Sequence, residues 1–315
     1  MSTCVIHGHR GARGLVPENT LAGFASACAI GVDGIELDVL ISADERVVIH
    51  HDPRLNTELC RDGSGEWLDG ATPLIRELTQ DQLKTFDVGR IRPGSPQASR
   101  FPLQQGVEEE NIPLLSELVC WWQTLVPRRP MLNIELKSDP RHPEESPDPP
   151  DYARLVVSEL ERWNLLGEVW LQAFDWRVLQ EIQHLADNVY TGYLSSERED
   201  DATVSNDSES PWLAGFDPAR FDSNLPKAIK AAGGRFWGPA FADVSQDRVL
   251  EAQALGLVVH TWTLNEQKDF QRALDLGVNG ITTDYPDRAQ AAFRAAGLSV
   301  ASPCEATEPA AAAEG

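Results

Sequence analysis

Basic residues are scarce in this chain: 27 Lys and Arg stand against 49 Asp and Glu, a formal net charge of −22. Nucleic acids and anionic membranes are bound through clustered cations, so neither is an expected partner. An acid-rich surface needs no explanation beyond solubility. Cysteine is sparse too. Cys4, Cys28, Cys60, Cys120 and Cys304 are odd in number, far apart and without C-x-x-C spacing, which disfavours a disulfide framework. A reduced, cytoplasmic protein is expected. The opening MSTCVIHGHR lacks a basic stretch followed by an apolar one, so no signal peptide is visible. Nor does any apolar run reach the roughly 18 residues of a membrane span. What is present, 315 residues of which 42% are hydrophobic, suffices for one large core.

Short apolar runs alternate with helical spacings along most of the chain. Strands are predicted to start near Val5, Ile35, Leu132, Val169, Val189, Arg235, Val258 and Gly280. Eight strands alternating with helices describe an α/β fold, a (β/α)8 TIM barrel. The first of these helices follows Pro17-Glu18-Asn19-Thr20, with Asn19 or Thr20 as its cap. Only Ser42–Arg46 separates the strand Ile35–Ile41 from Val47–His51, too little for a parallel crossover, so these two form an antiparallel hairpin. If Ser42 faces Val47, His51 falls opposite Asp38. Residues 53–113 are irregular and rich in turn signals, a small insertion after the hairpin that acts as a cover or subdomain. The barrel is expected to occupy residues 1–298 as a single domain. The acidic, serine-rich stretch 195–211 is expected to be mobile, and the low-complexity tail 299–315 disordered.

Successive strand residues point to opposite faces, so Glu36 and Asp38 project together while Ile35, Leu37 and Val39 face away. Adjacent acids on an apolar strand are costly unless a cation or a proton neutralises them. Glu135 in the next strand, MLNIELK, adds a third. Three oxygen donors suit a hard divalent ion, Mg²⁺ or Ca²⁺. His9, Glu36, Asp38, Glu135, Lys137, Trp262 and Asp284 all fall at or near C-terminal strand ends, where barrels carry their chemistry. Cationic Arg10 and Lys137 beside a metal make sense if the ligand is a phosphoryl group, whose oxygens gain charge in the transition state. His9 and His51 are candidate proton carriers, one for the nucleophile and one for the leaving alkoxide. Trp262 is expected to wall the site, with core packing as its competing role.

These residues also carry a resemblance. His9-Arg10-Gly11, Pro17-Glu18-Asn19-Thr20, Glu36-x-Asp38, Val48-Ile49-His50-His51-Asp52, Ile134-Glu135-Leu136-Lys137, Trp262-Thr263-x-Asn265 and Gly280-Ile281-Thr282-Thr283-Asp284-Tyr285-Pro286 resemble, in order, the glycerophosphodiester phosphodiesterase family. The resemblance runs from about residue 5 to 290. It implies hydrolysis of glycerophosphodiesters to glycerol 3-phosphate and an alcohol. It implies His9 and His51 as the acid/base pair, Glu36, Asp38 and Glu135 as metal ligands, and Arg10 and Lys137 on the phosphate. His7 and His50 are also at hand, but family spacing favours His9 and His51, each directly before its Arg or Asp. One departure stands out: the family's usual Asp-Gly in the hairpin turn is Asp44-Glu45 here.

Three other functions compete. The same site could serve a lysophospholipase D or a sphingomyelinase-D-like enzyme acting on lipid, although no apolar stripe is evident. A zinc amidohydrolase would use His7-x-His9 and Asp284, but the middle strand ends read Gln172-Ala173-Phe174-Asp175 and Tyr193-Leu194 and offer no further histidine. A barrel kept only for binding would require a lost catalytic residue, and none is missing. The identity of the leaving alcohol and the oligomeric state are not encoded in any motif.

Overall fold

The computed structural model describes residues 4–198, 202–204 and 209–307. Its strands are β1 (Val5–Gly8), β2 (Gly34–Ile41), β3 (Val47–Ile49), β4 (Leu125–Val126), β5 (Met131–Leu136), β6 (Val169–Ala173), β7 (Tyr190–Ser195), β8 (Phe236–Pro239), β9 (Val258–Thr261), β10 (Gly280–Thr283) and β11 (Glu305–Ala306). Eight of them run parallel in the order β1-β10-β9-β8-β7-β6-β5-β2, and β2 pairs back to β1 to close the barrel. Helices lie between successive strands, as the alternation in the sequence implies. Ile35, Leu37 and Val39 are fully buried among the outer hydrophobic core, leaving Glu36 and Asp38 on the other face of β2. No described helix is long and apolar enough to cross a membrane.

Aromatic rings fill the barrel interior toward the N-terminal strand ends. His7 lies 4.2 Å from His260 and 5.2 Å from Trp170 between ring centroids, and Trp170 lies 4.8 Å from Phe236. The Phe236 ring fits only because residue 192 is glycine: a Cβ there would come within 1.7 Å of it. His7 therefore belongs to this ring cluster rather than to a metal site, which removes the His-x-His pair an amidohydrolase needs.

The hairpin register differs by one from the expectation. Val39 pairs with Ile49 and Ile41 with Val47, and His50, not His51, donates its backbone N–H to the Asp38 carbonyl. The cause is the turn. Ser42 N–H bonds the Arg46 carbonyl, leaving a three-residue loop whose last member, Glu45, adopts φ +58°. Glu45 thus takes the left-handed conformation that glycine adopts most easily.

The insertion has a small core of its own, in which Leu55, Leu59, Cys60, Ile75, Leu83, Val88 and Ile112 pack under Leu40 and Val48 of the hairpin. The C-terminal segment departs from expectation. Cys304 is buried, its N–H bonds the Cys28 carbonyl, and Glu305–Ala306 pairs antiparallel with Leu125–Val126. Order therefore extends past Ser299 to Thr307, and the remainder of the tail, 308–315, lies outside the described residues. So do residues 199–201 and 205–208 of the acidic stretch, whose Thr203 and Val204 are nonetheless buried.

Candidate active site

The loop after β1 turns sharply. Arg10 takes φ +50° and Gly11 φ +89°, and a Cβ on Gly11 would come within 2.7 Å of the Gly23 backbone. This turn aims the Arg10 N–H at Glu36 Oε2, 3.0 Å away. Strained backbone of this kind persists where its surroundings hold it in place. Thr20 is the helix cap, accepting from Gly23 N–H. Asn19 instead faces Asp38, donating to Oδ2 at 2.9 Å and accepting from the Asp38 N–H at 3.3 Å.

His9, Arg10, Glu36, His51, Glu135, Lys137 and Trp262 line one cavity of about 360 Å³ at the C-terminal strand ends. Asp38 lies buried beside it. Oxygen atoms of Glu36, Asp38 and Glu135 lie within 4.8 Å of one another, so the structure brings the three acids together. Among the described residues the other cluster with metal-ligand potential is the surface group His142, Glu144 and Glu145. Arg10 Nε lies 3.0 Å from Asp38 Oδ2, and Lys137 Nζ lies 2.6 Å from Glu135 Oε1 and 3.7 Å from Asp38 Oδ1.

The acids titrate unequally. Burial and the neighbouring Asp38 and Glu135 push Glu36 well above the carboxylate range. Burial raises Glu135 too, partly offset by Lys137. For Asp38 burial is outweighed by Arg10, His51, Lys137 and the Asn19 hydrogen bond, and its pKa is lowered. Burial disfavours the Lys137 ammonium, but Glu135 and Asp38 together raise its pKa. Asp38 Oδ1 accepts no hydrogen bond. An all-oxygen donor set with one buried oxygen unbonded and its acids crowded together fits a hard divalent cation.

Each cavity histidine carries a carboxylate on Nδ1. His9 Nδ1 lies 2.6 Å from Asp284 Oδ1, and His51 Nδ1 lies 2.6 Å from Asp52 Oδ1. Asp284 also accepts from Arg13 Nε and Asn265 Nδ2, both at 2.6 Å, and Asp52 from Asn56 Nδ2 at 2.6 Å. Such a partner fixes the ring and leaves Nε2 free for chemistry. Burial, with Arg13 and Arg10, lowers the His9 pKa to about 4 against the pull of Asp284. Burial, with Arg10 and Lys137, lowers that of His51. His51 reaches the cavity despite the shifted register because the strand ends at Ile49 and the chain bends at residues 51–53. His50, opposite Asp38, turns instead into a small buried pocket with Pro17, Asn19 and Leu59.

Trp262 donates its indole N–H to the Gly238 carbonyl at 2.9 Å and meets the Phe174 ring edge-on at 5.4 Å. Sequence reasoning missed Arg13, Phe174 and Gln172, and it gave Asp52 no role. Arg13 lies in the Arg-Gly-Ala-Arg-Gly run and Asp52 directly follows His51, so local signals existed for these two. The insertion adds Asn56, Gln97 and Arg100 to the lining.

Comparison with known proteins gives a family model of the glycerophosphoryl diester phosphodiesterase family that matches residues 9–288. The chain is 36% identical to a candidate glycerophosphoryl diester phosphodiesterase from Silicibacter pomeroyi, whose crystal structure matches with a TM-score of 0.84 over 95% of each chain. It is 29% identical over 287 residues to a glycerophosphodiester phosphodiesterase of Bacillus altitudinis, covering 90% of this chain and 96% of that one. A lysophospholipase D of Homo sapiens is 26% identical over 300 residues, covering 89% of this chain and 83% of its own length.

Proposed function

The chain belongs to the glycerophosphoryl diester phosphodiesterase family, and from that membership we propose that it hydrolyses glycerophosphodiesters to glycerol 3-phosphate and an alcohol, using His9 and His51 as proton carriers and Glu36, Asp38 and Glu135 as ligands of Mg²⁺ or Ca²⁺. The observation that carries this reading is the convergence of three carboxylates within 4.8 Å on a cavity that also holds Arg10, Lys137 and both histidines.

A bound divalent ion neutralises charge on the phosphoryl oxygens. Arg10 and Lys137 bind those oxygens from the flanks and gain strength as charge builds on them. Ion pairs to Asp38 and Glu135 hold both cations in place. His9 and His51, each turned by its carboxylate, present Nε2 to the substrate. One accepts a proton from the attacking hydroxyl and the other gives one to the departing oxygen. The phosphodiester anion itself offsets Arg10 and Lys137 beside His51 and so favours the imidazolium. Polar Asn56, Gln97, Gln172 and Thr282 around the cavity suit the hydroxyls of glycerol.

The test is turnover of purified protein on a panel of glycerophosphodiesters and one lysophospholipid with Mg²⁺ or Ca²⁺, products identified by phosphorus NMR. Glycerol 3-phosphate is the expected product. Release of a phosphorylated alcohol, or no turnover of any diester, contradicts the reading. A transient cyclic phosphate resonance would mark attack by the glycerol 2-hydroxyl, and its absence attack by water.

A further inference from the structure

Two of the five cysteines, far apart in sequence, meet in the fold. Cys28 lies in the last turn of the helix Leu21–Ile30, and Cys304, 276 residues further on, lies in the segment that follows the barrel. Cys304 donates its backbone N–H to the Cys28 carbonyl at 3.0 Å, and its Sγ lies 3.8 Å from the same oxygen. The two thiols also hydrogen-bond each other. Standard bond lengths keep the Cα atoms of residues joined by such a backbone bond within about 7 Å, and disulfides span roughly 4.4–6.8 Å between Cα atoms. Both side chains are buried.

Cys304 is the anchor of its segment. Of residues 301–307 it alone is buried. The other attachments are hydrogen bonds. Gln290 Nε2 donates to the Ala301 carbonyl at 3.0 Å, Arg128 Nε to the Ser302 carbonyl at 2.9 Å, and Thr307 N–H to the Thr124 carbonyl at 3.1 Å. Glu305–Ala306 adds its short pairing with Leu125–Val126. A Cβ on Gly31, the cap of the helix, would come within 2.6 Å of the Ala301 carbonyl, so the segment lies directly against the helix end. A strip with one buried side chain opens locally at small cost.

Closed, the pair is inert. Burial and the neighbouring Cys304 push the Cys28 thiol up, partly offset by Arg128, and a protonated thiol is a poor nucleophile. Local opening exposes both thiols to water, where a cysteine titrates near 8.5.

We propose that Cys28 and Cys304 are a reversible disulfide site, oxidised by peroxides, that fastens the C-terminal segment to the first helix. One thiolate attacks a peroxide oxygen, the O–O bond breaks, the second oxygen leaves as water, and the attacking sulfur becomes a sulfenic acid. As the segment closes, the other thiol displaces that hydroxyl as water and the S–S bond forms. Two thiols together lose two protons and two electrons, and hydrogen peroxide is reduced to two waters. A thiol reductant reverses the step. The bond closes a ring from Cys28 to Cys304 through most of the barrel, which restricts the unfolded chain far more than the folded one. It lies at the N-terminal strand ends, away from the catalytic cavity, since the helix stops at Ile30 just before β2 begins at Gly34.

The experiment treats the full chain with hydrogen peroxide at about pH 8, maps a non-reducing digest by mass spectrometry, and follows thermal denaturation of the same samples. The expected product carries a peptide pair joined through Cys28 and Cys304, with the intact chain lighter by two hydrogens. Its Tm should lie several degrees above that of the reduced protein and return on adding dithiothreitol. Cys28→Ser and Cys304→Ser should each lose the peroxide-induced rise, and either variant decides the matter if the other fails to fold. Sulfinic or sulfonic acid at Cys304 in place of the crosslink overturns the proposal, as does oxidation confined to the exposed Cys120. So does a crosslink that leaves Tm unchanged, or a rise that persists in a folded serine variant.

Discussion

Asp284 Oδ1 lies 2.6 Å from His9 Nδ1 and 2.6 Å from Arg13 Nε, so one buried carboxylate positions a catalytic candidate and neutralises a buried guanidinium at once. Arg13, His9 and Asn265 hold its pKa below the usual range against the cost of burial. Asp284→Asn keeps the shape but can present an amide N–H to Nδ1, which selects the wrong tautomer. The expected result is a loss in kcat of about 10²- to 10⁴-fold with KM changed far less. Equal loss in both parameters would point to collapse of the site rather than misorientation of His9.

The acid cluster links stability to a cation. Glu36 has a raised folded pKa, so its favourable contribution is present below the unfolded value and is lost as pH rises through the folded one. A divalent ion reverses that loss. At pH 7, Mg²⁺ or Ca²⁺ is expected to raise the Tm of the wild-type protein, and EDTA to abolish both the increment and turnover. Glu36→Gln removes the buried charge, so its metal-free Tm should equal or exceed that of the wild type while the cation-dependent increment disappears. An identical increment in the variant, read by thermal denaturation, argues against Glu36 as a ligand.

His7 supplies a second titration, inside the ring cluster of the barrel. It is 2% exposed, and burial lowers its pKa to about 3. An unfolded imidazole titrates near 6.5, so between these values the unfolded chain binds the extra proton and stability falls as pH falls. The slope from this residue is about 1.4 kcal/mol per pH unit. His7→Phe should flatten the pH dependence of the urea midpoint between pH 6 and pH 4 by that amount relative to wild type. Parallel curves for the two proteins would show that His7 is protonated in the fold.

Glu45 in the hairpin turn is the residue for which glycine is the better fit. At φ +58° a side chain costs about 1 kcal/mol, and the side chain is exposed. Glu45→Gly is expected to stabilise the protein by roughly 0.5 kcal/mol or more, read from urea denaturation. Destabilisation would mean that the glutamate makes a contact that holds the turn.

Much of this architecture is legible in the sequence because barrels repeat a simple pattern. Strand GIELDVLI places Ile35, Leu37, Val39 and Ile41 outward and its acids inward by period alone, and the eight predicted strand starts match the observed ones to within a residue. The hairpin register is not legible in the same way. It depends on Glu45 entering the left-handed region, which its side chain does not advertise. Arg13 and Asp52 act through partners that sequence spacing cannot supply in the first case and that adjacency only hints at in the second. Phe174 and Trp212 lie on separate connections and meet only in three dimensions. The pairing of Glu305–Ala306 with Leu125–Val126 spans most of the chain, and a low-complexity composition conceals it.

The account turns on two histidines, and their removal tests it most directly. We expect single-turnover rates on glycerophosphocholine, with saturating Mg²⁺ or Ca²⁺, to fall by about 10²- to 10⁴-fold in His9→Ala and in His51→Ala, with far-ultraviolet circular dichroism unchanged. Wild-type-like turnover in either correctly folded variant would contradict the assignment of that residue as a proton carrier.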